Sequence, residues 1–92
     1  MLVDVANVSY KKDYLLEIIF EDGVSGTVNF AELIKFEGVF QPLSDQNEFK
    51  KVFVNKEVGT ICWPNGADFS SDVLYSKITN TPIKLGSDKK TA

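Results

Sequence analysis

The stretch of sequence with the most chemical potential runs over residues 61–69 and reads Ile-Cys-Trp-Pro-Asn-Gly-Ala-Asp-Phe. The aromatic ring, amide and carboxylate of Trp63, Asn65 and Asp68 could converge on a surface site that binds a ligand. The same residues have structural explanations as a buried anchor, a turn former and a helix N-cap. Because each explanation is sufficient by itself, we expect the three residues to serve the fold before any chemistry.

The composition excludes most of the catalytic mechanisms that proteins use. The chain has no His, so it cannot by itself form a Ser-His-Asp or Cys-His nucleophile, or a metal site built on imidazole. Its single cysteine, Cys62, has no activating base within sequence reach. Carboxylates such as Asp22, Asp68 and Asp72 could bind Mg²⁺ or transfer protons, but turns and helix starts also favour acidic residues. We predict no catalytic residue, no metal and no cofactor.

The charged residues also limit the classes of partner. All ten basic residues are Lys, and the net charge is -3. Because the arginine fork is what grips guanine edges and phosphates bidentately, we expect no direct nucleic-acid binding by this domain alone. The sequence has no apolar run long enough to span a bilayer and no secretion signal, and a lone Cys suits a reducing compartment. We therefore expect a cytoplasmic protein that does not bind membranes.

Hydrophobic periodicity predicts a single α+β domain over residues 1–83, built on a small antiparallel sheet. The N-terminal part is typical of a three-stranded meander. Its strands are predicted over residues 2–9, 14–20 and 24–29, with turns at 10–13 and 21–23. A second hairpin, with strands over residues 52–54 and 58–63, carries Trp63 at its end. Pro64 then ends the strand, because proline cannot donate to a sheet ladder.

Short helices are predicted to cover this sheet. A helix over residues 30–36 has Asn29 as its N-cap, and an irregular or 3₁₀ connector follows over residues 39–43. Asp45 and Glu48 resemble the capping box of a helix of one or two turns.

The last predicted helix covers residues 70–78, with Asp68 or Ser70 in position to cap its N-terminus. Helical spacing places Leu74, Tyr75 and Ile78 on one face, which is typical of a core-facing stripe. Residues 84–92 form a polar tail that we expect to be disordered.

Several short motifs, taken in their order and spacing, resemble the small bacterial proteins of domain-of-unknown-function family 2442. They lie between Val5 and Ile78 and read Phe20-x-Asp22-Gly23, Gly38-x-Phe40-x-x-Leu43, Phe49-x-x-Val52, and Trp63-x-Asn65-Gly66-x-Asp68 followed by Leu74-Tyr75. The resemblance implies an α+β domain with no established enzymatic activity. It also implies members that occur alone, beside another small uncharacterised protein in a toxin-antitoxin-like gene pair, or fused to a helix-turn-helix segment.

This chain departs from the family pattern at two points. Members often carry Pro-Glu where this chain has Ser71-Asp72, so a final helix that starts with proline is not expected. The sequence also shows no helix-turn-helix after the domain, so we expect any role on DNA to need a partner.

Two classes of function follow. The missing catalytic residues and the resemblance favour a non-enzymatic protein-interaction or regulatory module of a bacterial cytoplasmic system, antitoxin-like, which pairs with a small protein or with itself. The alternative is a ligand-binding or enzymatic domain with a site around Trp63, Asn65 and Asp68. Tyr75, from the final helix, is the fourth candidate binding residue.

Overall fold

The computed structural model describes residues 3–80, which form an α+β fold. The elements in chain order are β1 (Val5–Lys12), β2 (Leu15–Phe20), β3 (Ser25–Asn29), α1 (Phe30–Leu33), a 3₁₀ helix (Gly38–Ser44), α2 (Gln46–Phe49), β4 (Phe53–Asn55), β5 (Thr60–Cys62) and α3 (Ser71–Thr79). β1, β2 and β3 make an antiparallel sheet in that order, and β4 pairs with β5. The predicted meander, second hairpin and short helices are confirmed.

Strand β2 is the central strand of the meander, and the burial of its side chains follows the alternation of its sequence. Leu16, Ile18 and Phe20 are buried on one face, while the alternate residues point to the other. The second hairpin joins this sheet through β1, because the Val5 N–H donates to the Gly59 carbonyl at 3.0 Å. The two sheets therefore share one core.

The predicted turn over residues 10–13 is wrong, because β1 continues to Lys12. The chain turns only at Asp13, which has a φ of 48°, and its neighbour Tyr14. The polar residues that suggested a turn are compatible with a strand here. Lys11 Nζ lies 3.3 Å from Glu17 Oε1 on β2, so its charge is partnered across the sheet.

Helix α1 is shorter than the predicted helix over residues 30–36. Asn29 is its N-cap, as predicted, and the helix ends at Leu33 because Ile34 adopts an extended backbone. Phe36 then lies outside the helix, with its ring centroid 4.9 Å from that of Tyr14. An aromatic contact with a residue distant in sequence thus takes the place of another helical turn.

The predicted connector is a 3₁₀ helix over Gly38–Ser44 with Leu43 buried. The Asp45 side chain then caps α2 by accepting from a backbone N–H in its first turn. The second half of the predicted capping box does not form, since the Glu48 carboxylate pairs with Lys51 at 3.1 Å.

Helix α3 begins after Ser70, whose hydroxyl oxygen accepts from the Val73 N–H at 3.3 Å. Asp68 is therefore not the N-cap. The helix ends at Asn80, which adopts the left-handed conformation. With nine residues it is the longest of the described helices and too short to cross a bilayer. The predicted tail over residues 84–92 lies outside the described residues.

The core lies between the meander, the second hairpin and the helices. Its buried apolar residues are Val5, Leu16, Ile18, Phe20, Val28, Phe30, Leu43, Phe49, Ile61, Trp63, Ala67 and Leu74. Helix α3 packs so closely on β3 that a Cβ atom at Gly26 would lie 2.7 Å from Ile78 Cγ2. Glycine at this position is what allows the helix to approach the sheet.

Candidate functional site

Trp63 lies directly after β5, and only 1% of the residue is exposed. Its indole Nε1 donates to the carbonyl of Phe49, at the end of α2, over 2.7 Å. Three phenylalanine rings surround the indole, with centroids at 6.0 Å for Phe30, 6.5 Å for Phe40 and 5.7 Å for Phe49. The ring is enclosed and its polar atom is satisfied, so Trp63 acts as an anchor and presents no surface to a ligand.

The residues after Trp63 form a tight turn that an Asn-Gly pair suits. The Trp63 N–H donates to the Ala67 carbonyl at 2.8 Å, and the Gly66 N–H donates to the Trp63 carbonyl at 2.9 Å. Gly66 has a φ of 95°, a conformation that costs glycine little. The Asn65 side-chain oxygen accepts from the Ala67 N–H at 3.1 Å. These bonds account for the residue types in this part of the motif.

The turn between β2 and β3 repeats this arrangement. The Phe20 N–H donates to the Val24 carbonyl at 2.8 Å, and the Gly23 N–H donates to the Phe20 carbonyl at 3.0 Å. Asp22 Oδ1 accepts from the Val24 N–H at 3.0 Å, and Gly23 has a φ of 92°. We call both structures Asx-Gly turns and number them in chain order: the first covers residues 20–24 and the second covers residues 63–67. An aromatic residue two positions before the Asx begins each of them.

Asn65 has a second structural role. Its side-chain nitrogen donates to the Val39 carbonyl in the 3₁₀ helix at 3.0 Å, across 26 residues of sequence. The amide thus uses its oxygen within the turn and its nitrogen between two segments. Its polar atoms serve the fold, which is the interpretation preferred from the sequence.

After the turn the chain runs back along β5 before α3 begins. Asp68 forms an antiparallel bridge with Cys62, and the Phe69 N–H donates to the Ile61 carbonyl at 3.3 Å. The hydroxyl of Thr60 donates to the Phe69 carbonyl. The sequence suggested that the helix starts directly after the turn, so this returning segment was missed. It places the exposed Asp68 beside a strand.

Cys62, the bridge partner of Asp68, is the single cysteine of the chain. The thiol is buried, and this burial, followed by the negative charge of Asp68, raises the pKa of Cys62 above its ordinary value. A hydrogen bond from Asn55 opposes this increase. Because the thiolate is the reactive form, a raised pKa and little exposure disfavour Cys62 as a nucleophile.

Tyr75 lies at a different place. Its ring packs edge-on against Phe20, with centroids 4.8 Å apart, and its hydroxyl donates to Asp22 Oδ2 at 2.6 Å. The hydrogen bond from Tyr75, followed by that from the Val24 N–H, lowers the pKa of Asp22. The same bond to Asp22, followed by desolvation, raises the pKa of Tyr75. The pair ties α3 to the first Asx-Gly turn.

The structure therefore divides the four predicted binding residues between the two Asx-Gly turns. Trp63, Asn65 and Asp68 belong to the second, and Tyr75 contacts the first through Asp22. The sequence did not suggest the Tyr75–Asp22 contact, although both residues lie in the motifs that carry the family resemblance. Of the three at the second turn, only Asp68 has an exposed side chain that makes no hydrogen bond within residues 3–80.

The described residues do not assemble a metal centre. Within residues 3–80, no group of three or more His, Cys, Asp or Glu side chains is placed to hold a metal ion. Of the carboxylates considered from the sequence, Asp22 accepts hydrogen bonds within its turn and from Tyr75. The geometry around Trp63 thus favours a structural role for these residues over a binding or catalytic site.

Replacing Trp63 tests its role as an anchor. Trp63→Ala should lower the free energy of unfolding by about 3–5 kcal/mol, because it leaves a large cavity in a small core. Trp63→Phe keeps a ring but loses the N–H donor; the Phe49 carbonyl still accepts from Val52, so the lost bond should cost about 0.5–1.5 kcal/mol. Urea unfolding followed by far-ultraviolet circular dichroism measures both. Wild-type stability of the alanine variant would contradict the assignment.

The Tyr75–Asp22 bond predicts a dependence of stability on pH. Because the folded-state pKa of Asp22 is lowered, its contribution is present above about pH 3.9 and disappears as the pH falls through the lowered value. Because the pKa of Tyr75 is raised, its contribution is present below about pH 10 and disappears as the pH rises through the raised value. The difference in stability between wild type and Tyr75→Phe should therefore be largest between these limits.

A matched control separates the loss of stability at low pH that is due to Asp22 from losses due to other titrating groups. Asn65 shows that asparagine fits the Asx position of this kind of turn, so Asp22→Asn should preserve the turn while removing the titrating group. In the Asp22→Asn background, the effect of Tyr75→Phe should not change between pH 5 and lower pH. The same decline in both backgrounds would show that another group is responsible.

Comparisons with known proteins agree with the motif analysis. A family model described as "Protein of unknown function (DUF2442)" matches residues 5–80, which confirms the predicted family. A search of curated proteins and a search of solved structures each found no match. Since the matched region contains both Asx-Gly turns and most of the chain, this protein belongs to the DUF2442 family of proteins of unknown function.

Proposed function

We propose that this chain is a non-enzymatic protein-interaction or regulatory module of a bacterial cytoplasmic system, the antitoxin-like half of a pair with another small protein. The observation that carries the proposal is Phe53, a phenylalanine on β4 that is 43% exposed. Val58, in the turn of the same hairpin, is 57% exposed. Exposed aromatic and aliphatic side chains on a supported strand are typical anchors of protein interfaces.

The setting of Phe53 supports this role. Its register partner on β5 is Cys62, and β5 leads directly to the buried Trp63. The Phe53 ring therefore lies on a hairpin that is held in place by the core. A side chain held on a rigid element loses little freedom on binding. The turn of this hairpin contains both Lys56 and Glu57, so its charge does not favour a nucleic acid over a protein.

The disposition of the polar residues points in the same direction. The indole of Trp63 is buried, and both ends of the Asn65 amide are bonded within the fold. The alternative function, a ligand-binding or enzymatic site around Trp63, Asn65 and Asp68, would then depend on Asp68 alone. One exposed carboxylate is a poor basis for either activity, so the apolar surface of the hairpin is the better candidate for recognition.

Co-expression with each small protein encoded by a gene adjacent to that of this chain tests the proposal. We expect the two proteins to co-elute, and we expect Phe53→Ser to weaken their affinity by about tenfold or more, as for a hot-spot residue. Val39→Ser is the matched control, because Val39 is similarly exposed, at 50%, but lies on the 3₁₀ helix. Both variants should melt like wild type. A chain that elutes alone, or a Phe53→Ser variant that binds like wild type, would contradict the proposal.

A further inference from the structure

Hydrogen bonds at both ends of the β2–β3 ladder determine which residues of β3 face β2. At one end the Val24 carbonyl accepts from Phe20, and at the other the Phe30 N–H donates to the Tyr14 carbonyl at 2.8 Å. The register between these bonds is continuous, so alternate residues of β3 bond to β2 while the others direct their backbone groups outward. The outward residues are Ser25, Thr27 and Asn29.

This outer edge of β3 is open in the part of the chain that the structure describes. Within residues 3–80, the outward N–H and C=O groups of Ser25 and Thr27 make no hydrogen bond, and both side chains are exposed. The opposite edge of the sheet differs, because the Val5 N–H of β1 is already bonded to Gly59. Unpaired strand groups of this kind are a template for another strand.

Strand β3 also lacks the features that normally protect an exposed edge. The segment Ser25–Asn29 contains no charged residue and no proline, and its pairing with β2 has no bulge. By contrast, β1 has register shifts at two places and carries Lys11 and Lys12. Bulges, lysines and prolines are the devices that prevent edge-to-edge association. The outer edge of β3 has none of these devices, which favours pairing with another strand.

We propose that β3 pairs with β3 of a second copy of this chain, antiparallel across a two-fold axis at Thr27, to form a continuous six-stranded sheet. This inference goes beyond the proposed function and does not depend on it. A strand that meets itself must not place like charges opposite each other, and β3 meets this condition although the chain carries a net charge of -3. A two-fold axis at Thr27 also brings outward residues opposite outward residues along the strand.

The core-facing side of β3 is already packed before any such pairing. The close approach of Ile78 to Gly26 holds α3 against the core side of the strand, while the side chains of Ser25 and Thr27 stay on the solvent side. Strand addition therefore requires no rearrangement of the core. The edge is preorganised, which reduces the entropy cost of association.

Charge complementation at Thr27 tests this proposal on the full chain by sedimentation equilibrium. Wild type and the control Thr27→Val should form dimers, because valine keeps the edge uncharged and suits a strand. Thr27→Lys and Thr27→Glu should each weaken dimerisation by about tenfold or more, because identical charges would then lie opposite each other. An equimolar mixture of the two variants should recover the dimer. Thr27→Val and Thr27→Lys should melt close to wild type, since the side chain is exposed. Thr27→Glu should melt somewhat lower, because Glu17 of β2 is the register partner of this position.

The outcomes separate this inference from the proposed function. A monomeric wild type, or a Lys–Glu mixture that stays monomeric, would overturn self-pairing. Loss of the co-expressed small protein from Thr27→Lys would also overturn it, by showing that the edge receives a strand of that protein. If the small protein binds Thr27→Lys and wild type alike while only the dimer is lost, self-pairing is supported. If wild type is a monomer that still binds the small protein, only this inference fails.

Discussion

The packing of the buried Trp63 indole, whose N–H donates to the carbonyl of Phe49, is the interaction on which the rest of this structure depends. It joins the end of β5 to the end of α2, two elements that have no local reason to meet. The rings of Phe30, Phe40 and Phe49 enclose the indole from different segments, so one side chain fixes the position of several short elements. Helices of four residues could not be stable alone, and this packing is what makes them possible.

The two Asx-Gly turns apply a second constraint. Each reverses the chain after an aromatic core residue and sends it back along the strand it has just left. Each is also tied to a distant segment, one through Asn65 to Val39 and the other through Asp22 to Tyr75. The most recognisable motifs of the chain therefore have structural causes. We propose that recognition instead uses the surface of the second hairpin and the outer edge of β3.

Local signals in the sequence were sufficient for much of this fold. The alternation over β2, the turn containing Asp22 and Gly23, and the Asn29 cap each depend on residues within a few positions, and the structure shows all of them. The end of β1 and the end of α1 were not predictable in this way. Both depend on other elements, namely the pairing of β1 with β2 as far as Lys12 opposite Leu15, and the packing of Phe36 on Tyr14.

The same distinction applies to the candidate site. Sequence proximity was enough to group Trp63, Asn65 and Asp68, and to suggest structural roles for the first two. It could not show that Asp68 lies on a returning segment beside Cys62, or that Tyr75 belongs with Asp22 across 53 residues of sequence. Partners so far apart depend on how α3 lies over the sheet, which no spacing within a motif encodes.

Hydrogen exchange of the indole N–H, followed by NMR, is the most direct test of the central claim. The chain has a single Trp, so its indole signal is unambiguous. If the buried bond to Phe49 holds the corner together, this proton should exchange only when the whole domain unfolds, as slowly as the most protected backbone amides of β2. Exchange at the rate of a solvent-exposed indole, while β2 stays protected, would show that Trp63 is not the anchor of this fold.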